Sequence, residues 1–67
     1  MAVRPPIIVH PPSLSGGRRV TIRGEIVGLA RDERDLREFL RRAGVPDDVR
    51  LDDPELIEWR GGGPEVW

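Results

Sequence analysis

Residues 32–46, DERDLREFLRRAGVP, spell a helix stopped at both ends, and this constrains the remainder of a 67-residue chain severely. Asp32 suits the N-cap, where a short carboxylate accepts from the amides of the first turn. Glu33 and Asp35 then sit where the helix dipole favours negative charge, and Arg41 and Arg42 where it favours positive charge. Leu36, Phe39, Leu40 and Ala43 recur at three- and four-residue spacing and form one apolar stripe. Gly44 suits a left-handed position just past the end, Val45 can fold back on Leu40, and Pro46 prevents continuation. The spacing predicts a helix over about 33–43.

Five arginines fall between Arg31 and Arg42, which raises the question of a basic recognition surface. Four acids, Asp32, Glu33, Asp35 and Glu38, are interleaved with them. Burial of Leu36, Phe39 and Leu40 stabilises by roughly 1.5–3 kcal/mol each before entropy. Pairs such as Glu33 with Arg37 and Glu38 with Arg42 contribute only about 0.2–0.5 kcal/mol each. The stripe therefore fixes the helix and the mixed charges form its solvated side, whereas a nucleic-acid helix would show one sign.

One short helix cannot bury itself, so the other segments must supply a sheet. "IIV" (7–9) is β-branched and flanked by prolines, which predicts a short edge strand. "PPSLSGG" (11–17) reads as a loop. In "RRVTIRGEIVGLA" (18–30), Val20, Ile22 and Ile26 alternate with Arg19, Thr21, Arg23 and Glu25, the period of a half-buried strand. Gly24 admits two readings. One is a bulge in a single long, kinked strand; the other is the second residue of an Arg23–Gly24 hairpin turn. The kinked strand is preferred, because arginine is not a favoured residue of such a turn. Asp53–Pro54–Glu55 resembles a helix start, yet "LIEW" alternates and the glycines after Arg60 leave little room, so a strand over 56–60 is preferred to a short helix. "GGGP" (61–64) reads as a turn and "EVW" as a short returning strand.

The expectation is an α+β fold: a small two-layer β-β-α-β domain, its helix packed on one face of a three-stranded, mostly antiparallel sheet. Val20, Ile22, Ile26, Ile57 and Trp59 are expected to face the helix stripe. The chain forms a single domain over 1–67, with 1–6 as a flexible arm and 61–67 as a Gly-rich turn and C-terminal tail. A chain this short buries only about 60% of its unfolded surface and is marginally stable. It has no cysteine, which excludes a disulfide framework and a thiolate zinc site. Its longest N-terminal apolar run is three residues, which predicts no signal peptide, no membrane span and a cytoplasmic location.

All eleven basic residues are arginine, and lysine, asparagine, glutamine and tyrosine are absent. This reads as the imprint of a high-GC genome rather than as selection for guanidinium chemistry. Residues 1–31 hold five arginines against Glu25, net +4. Residues 32–67 hold six against eleven acids, net −5.

Chemistry-bearing groups are few. His10 lies near Ser13 and Ser15, but turn serines beside prolines are the ordinary reading and no orienting third group is evident. Asp47, Asp48, Asp52 and Asp53 lack the spacing of a calcium loop. Gly61–Gly63 could cradle a phosphate with backbone amides, but lacks the motif spacing, the following helix and the lysine. No cofactor, metal or catalytic residue is expected, and no enzyme activity. The preferred function is a small noncatalytic protein-interaction or regulatory module, with Arg19, Arg23, Trp59 and Trp67 as possible partner contacts. Trp67 reads first as a cap on the core. The partner would be another protein or a second copy, with no membrane contact, and strand addition at Ile7–Val9 is a second contact mode. The alternative is a nucleic-acid-binding module using the Arg-rich strand 18–23, disfavoured by the missing stacking aromatics and the overall acidity.

Overall fold

The computed structural model describes residues 5–67. In chain order the elements are β1 (Ile7–Pro12), β2 (Arg18–Ile22), β3 (Glu25–Ala30), α1 (Glu33–Arg42) and β4 (Ile57–Trp59). The fold is α+β, one helix on one mixed sheet. The sheet has four strands where three were expected, in the order β3-β2-β1-β4. β1 pairs antiparallel with β2 and parallel with β4, and β2 pairs antiparallel with β3. Of the expected arm 1–6, residues 1–4 lie outside the described residues.

The fourth strand arises because 18–30 is a hairpin rather than one kinked strand. Arg23 (φ 53°) and Gly24 (φ 84°) are both left-handed, the requirement of a two-residue type I′ turn. A left-handed conformation costs a non-glycine residue roughly 1–2 kcal/mol, so the turn is bought at the expense of Arg23. Closing it pairs β2 with β3 from Ile22↔Glu25 through to Arg18↔Ala30. The register shifts at Val20/Thr21, so Thr21 faces Ile26 while Val20 faces Gly28 and Val27 is the extra residue of a bulge. The two-residue turn sets Glu25 opposite Ile22, which reverses the expected side of Ile26. It shares a face with Thr21, away from the helix, and is 67% exposed.

β1 is not an edge strand. Ile7, Ile8 and Val9 pair with Ile22, Thr21 and Val20 on one side and with Ile57, Glu58 and Trp59 on the other. The prolines fall outside this paired stretch, at Pro5 and Pro6 before it and at Pro11 and Pro12, where the register breaks. Proline thus trims the ends of β1 without removing a donor from its middle. Strand addition at Ile7–Val9 is accordingly closed, since β2 and β4 occupy both sides.

The helix follows its punctuation. The Asp32 carboxylate accepts from the Asp35 amide at 3.0 Å, and the Asp35 carboxylate accepts from the Arg31 amide at 3.0 Å. At the other end the Gly44 amide donates to the Arg41 carbonyl (3.0 Å) and the Val45 amide to the Leu40 carbonyl (2.9 Å). These two bonds are a Schellman closure. Glu33–Arg37 and Glu38–Arg42 each form ion pairs at 3.3 Å on the wet side. Leu36 and Leu40 are buried with Ile7, Val9, Val20, Ala30, Leu51 and Ile57, while Ile22, Phe39, Val45, Leu56, Trp59 and Trp67 pack around them. Ala43, the last residue of the expected stripe, is exposed. Residues 53–56 form the turn that Asp53 promises, its carboxylate accepting from the Glu55 amide, before β4 begins. Among the described residues no helix is long and apolar enough to cross a membrane.

Candidate functional site

Arg18 begins β2 two and four residues before Val20 and Ile22, so strand alternation turns it inward with them. It is fully buried. A guanidinium has five N–H donors, and here each meets a carbonyl. Nε donates to His10 O at 2.8 Å, Nη1 to Gly63 O (2.9 Å) and Val66 O (2.8 Å), and Nη2 to Arg60 O (2.6 Å) and Gly62 O (2.9 Å). None of the five is a carboxylate. Burial lowers the Arg18 pKa from its ordinary value, and the Glu65 carboxylate pushes it the other way. Gly61 (φ 78°) and Gly62 (φ 131°) allow the tight path that turns these carbonyls toward one point.

Trp59 and Trp67 are brought together around this cation. Their rings meet edge to face at 5.9 Å and 84°. The Arg18 Cζ lies 5.2 Å from the Trp59 ring centre and 5.9 Å from that of Trp67, within cation–π range. Each indole N–H is satisfied, Trp59 by the Leu51 carbonyl and Trp67 by the Pro64 carbonyl, both at 2.8 Å. Residues 65–67 form no strand; the Trp67 carbonyl accepts a single bond from the Gly17 amide at 3.1 Å. The glycine run is therefore a carbonyl cradle for a cation, the reverse polarity of the phosphate site weighed above. Arg18 is withdrawn from any nucleic-acid surface, and Arg19 and Arg23 do not join it.

Arg19 points the other way, onto the sheet face that α1 does not cover, where it pairs across the strands with Leu29. The same face carries the row Glu58, Ile8, Thr21, Ile26. Leu29 is 43% exposed. His10 sits here half-buried, its Nε2 3.3 Å from Thr21 Oγ1. Ser13 and Ser15 bond each other at 3.3 Å in an exposed loop. Asp52 pairs with Arg50, and among the described residues no group of three or more His, Cys, Asp or Glu side chains could hold a metal ion.

Desolvation lowers the His10 pKa below 6.5, and the Arg60 and Arg19 guanidiniums lower it further, against a smaller opposing pull from Glu58. The unfolded chain thus takes up a proton near 6.5 while the folded chain does so only at lower pH. Between those values the unfolded state binds more protons, so stability falls as pH falls and levels off once folded His10 is also protonated. Urea midpoints are expected to drop as pH falls through about 6.5, and His10→Gln to remove that component of the drop.

Arg23 stands apart, at the hairpin turn, with its amide donating to the Pro6 carbonyl at 2.7 Å. The turn and the C-terminal end of α1 enclose a groove of about 520 Å³, lined by Ile22, Arg23, Glu25, Val27, Phe39, Arg42 and Ala43. The sequence reading missed this groove. Its signal was Gly28, whose lack of a side chain lets the Phe39 ring settle on β3. It likewise placed Ile26 in the core, where the three-residue spacing of Ile26 and Leu29 around a glycine was the trace of the bulge. Comparison of the chain with protein-family models, with curated proteins and with solved structures finds no match.

Proposed function

We propose that the chain is a small noncatalytic interaction module acting in the cytoplasm, whose uncovered sheet face docks a protein partner carrying apolar and acidic side chains. The observation that carries this reading is the exposure of Ile26 and Leu29 on a sheet face with no helix over it. Large apolar side chains grouped on a surface favour association. Arg19 and His10 beside them, with Arg60 already paired to Glu58, favour a carboxylate-bearing partner. Trp59 and Trp67 serve this surface indirectly, by holding Arg18 and with it the start of β2. The nucleic-acid alternative retains only Arg19 on this face.

The test compares the wild-type protein with the Ile26→Glu/Leu29→Glu double variant. These positions are exposed, so the substitutions are expected to shift stability by less than about 1 kcal/mol, checked by thermal melting. A protein retained by the wild type and lost at least tenfold from the variant supports the reading when its contact segment is acidic. Equal retention by both proteins, or a contact segment that is basic, overturns it. Light scattering of both proteins separates a second copy from a different partner.

A further inference from the structure

We propose that the groove between the β2–β3 turn and the end of α1 is a separate binding site for a small organic acid with an apolar body. Its volume of about 520 Å³ lies in the range of small-molecule sites, which run from about 300 to about 1,000 Å³. Ile22, Val27 and Phe39 supply an apolar floor that would take up a hydrocarbon or ring. A smaller hollow of about 240 Å³ continues the groove past Ile22, Arg23 and Ala43 toward Val45 and Leu56.

The mouth is cationic. Arg23 and Arg42 line it against the single carboxylate of Glu25. Arg42 shares Glu38 with Arg41, so that one carboxylate serves two guanidiniums. Arg23 makes no side-chain hydrogen bond or ion pair among the described residues. The negative end of the helix opposes this field only in part, because the Leu40 and Arg41 carbonyls are closed by the Val45 and Gly44 amides. A carboxylate offers an arginine fork two acceptors in one plane.

Arg23 supplies an independent reason. Position 23 is left-handed, where asparagine or glycine would sit without strain. A long cation there works against the hairpin and points to a role for the side chain itself. Its bond to Pro6 fixes the backbone, so the guanidinium is delivered from a rigid base.

Octanoate is the probe, with octan-1-ol and octylammonium as neutral and cationic counterparts, followed by amide shifts in a titration of the whole chain. The expected result is saturable binding of octanoate, with shifts centred on Gly24, Val27 and Ala43, and binding of the two counterparts weaker by at least about tenfold. Arg23→Asn is expected to raise the melting temperature, because Asn-Gly suits the turn, and to weaken octanoate by about tenfold or more, the effect of losing one charge-assisted hydrogen bond. A fold made more stable while binding is lost cannot be explained by unfolding. Arg23→Lys is expected to keep part of the affinity. Equal binding of octanol, shifts centred on the open sheet face, unchanged affinity in Arg23→Asn, or no saturation at millimolar octanoate would each overturn the proposal.

Discussion

Replacing Arg18 with methionine is expected to leave the chain largely unfolded at 25 °C. Each buried acceptor left without a donor costs about 1–3 kcal/mol, so losing several at once reaches the roughly 3–5 kcal/mol that a domain of this size holds in total. The expected loss is large because five carbonyls depend on one side chain, and three of them belong to Gly62, Gly63 and Val66. Methionine fills much of the space but donates nothing. The carbonyls of 60–66 must then turn out to water, which pulls the segment off Trp59 and Trp67 and opens the core above Ile57. Lysine keeps the charge but brings three donors to five acceptors, so Arg18→Lys should lie between. Thermal melts followed by far-ultraviolet circular dichroism and by tryptophan fluorescence would check both. About 1 kcal/mol moves the melting temperature of a domain this size by about 4–8 °C. A fall of less than about 5 °C in Arg18→Met would therefore show that the cluster does not hold the fold together.

Arg18 also shows where sequence reasoning succeeds and where it stops. The helix was legible to within a residue, because capping and stripe are local: Asp32, Gly44 and Val45 act on neighbours three to five positions away. Arg18 was legible in part. It has the same strand parity as Val20 and Ile22, and that parity puts it inside. Residue type argued the opposite, because an isolated buried cation is costly. What decides the matter is a set of five acceptors, four of them more than forty residues away, and no local pattern reports those four. The hairpin was obscured by its own strain, since Arg23 occupies a position whose preferred residues are glycine and asparagine. The bulge at Val27 then hid the alternation that would have exposed β3 as a separate strand. β1 was misplaced for a related reason. Flanking prolines restrict the ends of a strand, and its middle was free to pair on both sides. Of the residues favoured for partner contact, the sequence could not say that Trp59 and Trp67 converge on Arg18 while Arg19 and Arg23 face two different surfaces. Those groupings depend on sheet order, which is set by pairing between distant segments.

Gly28→Ala is the second substitution expected to have a large effect, and it links the fold to the groove. The glycine has φ 153°, a region that an L side chain rarely enters, and a Cβ there would lie 2.7 Å from Phe39 Cζ and 3.1 Å from Cε1. Overpacking a filled contact costs about 1–3 kcal/mol, and a backbone held in a rare region costs about the same again. The sum, about 2–6 kcal/mol, reaches most or all of the stability available. The two terms separate in a double-mutant cycle with Phe39→Ala. The steric term needs the ring and vanishes without it, whereas the backbone term remains. Gly28→Ala is therefore expected to cost at least about 1 kcal/mol less in the Phe39→Ala background, measured by urea unfolding, but still to cost something. If the two substitutions were additive, Phe39 would not be seated on Gly28 as the structure places it. If Gly28→Ala were silent without the ring, the bulge would carry no strain of its own. Where the single variant retains enough fold to assay, octanoate should bind it less well than Arg23→Lys, because a displaced ring removes the groove's floor while the altered arginine removes only the fork at its mouth.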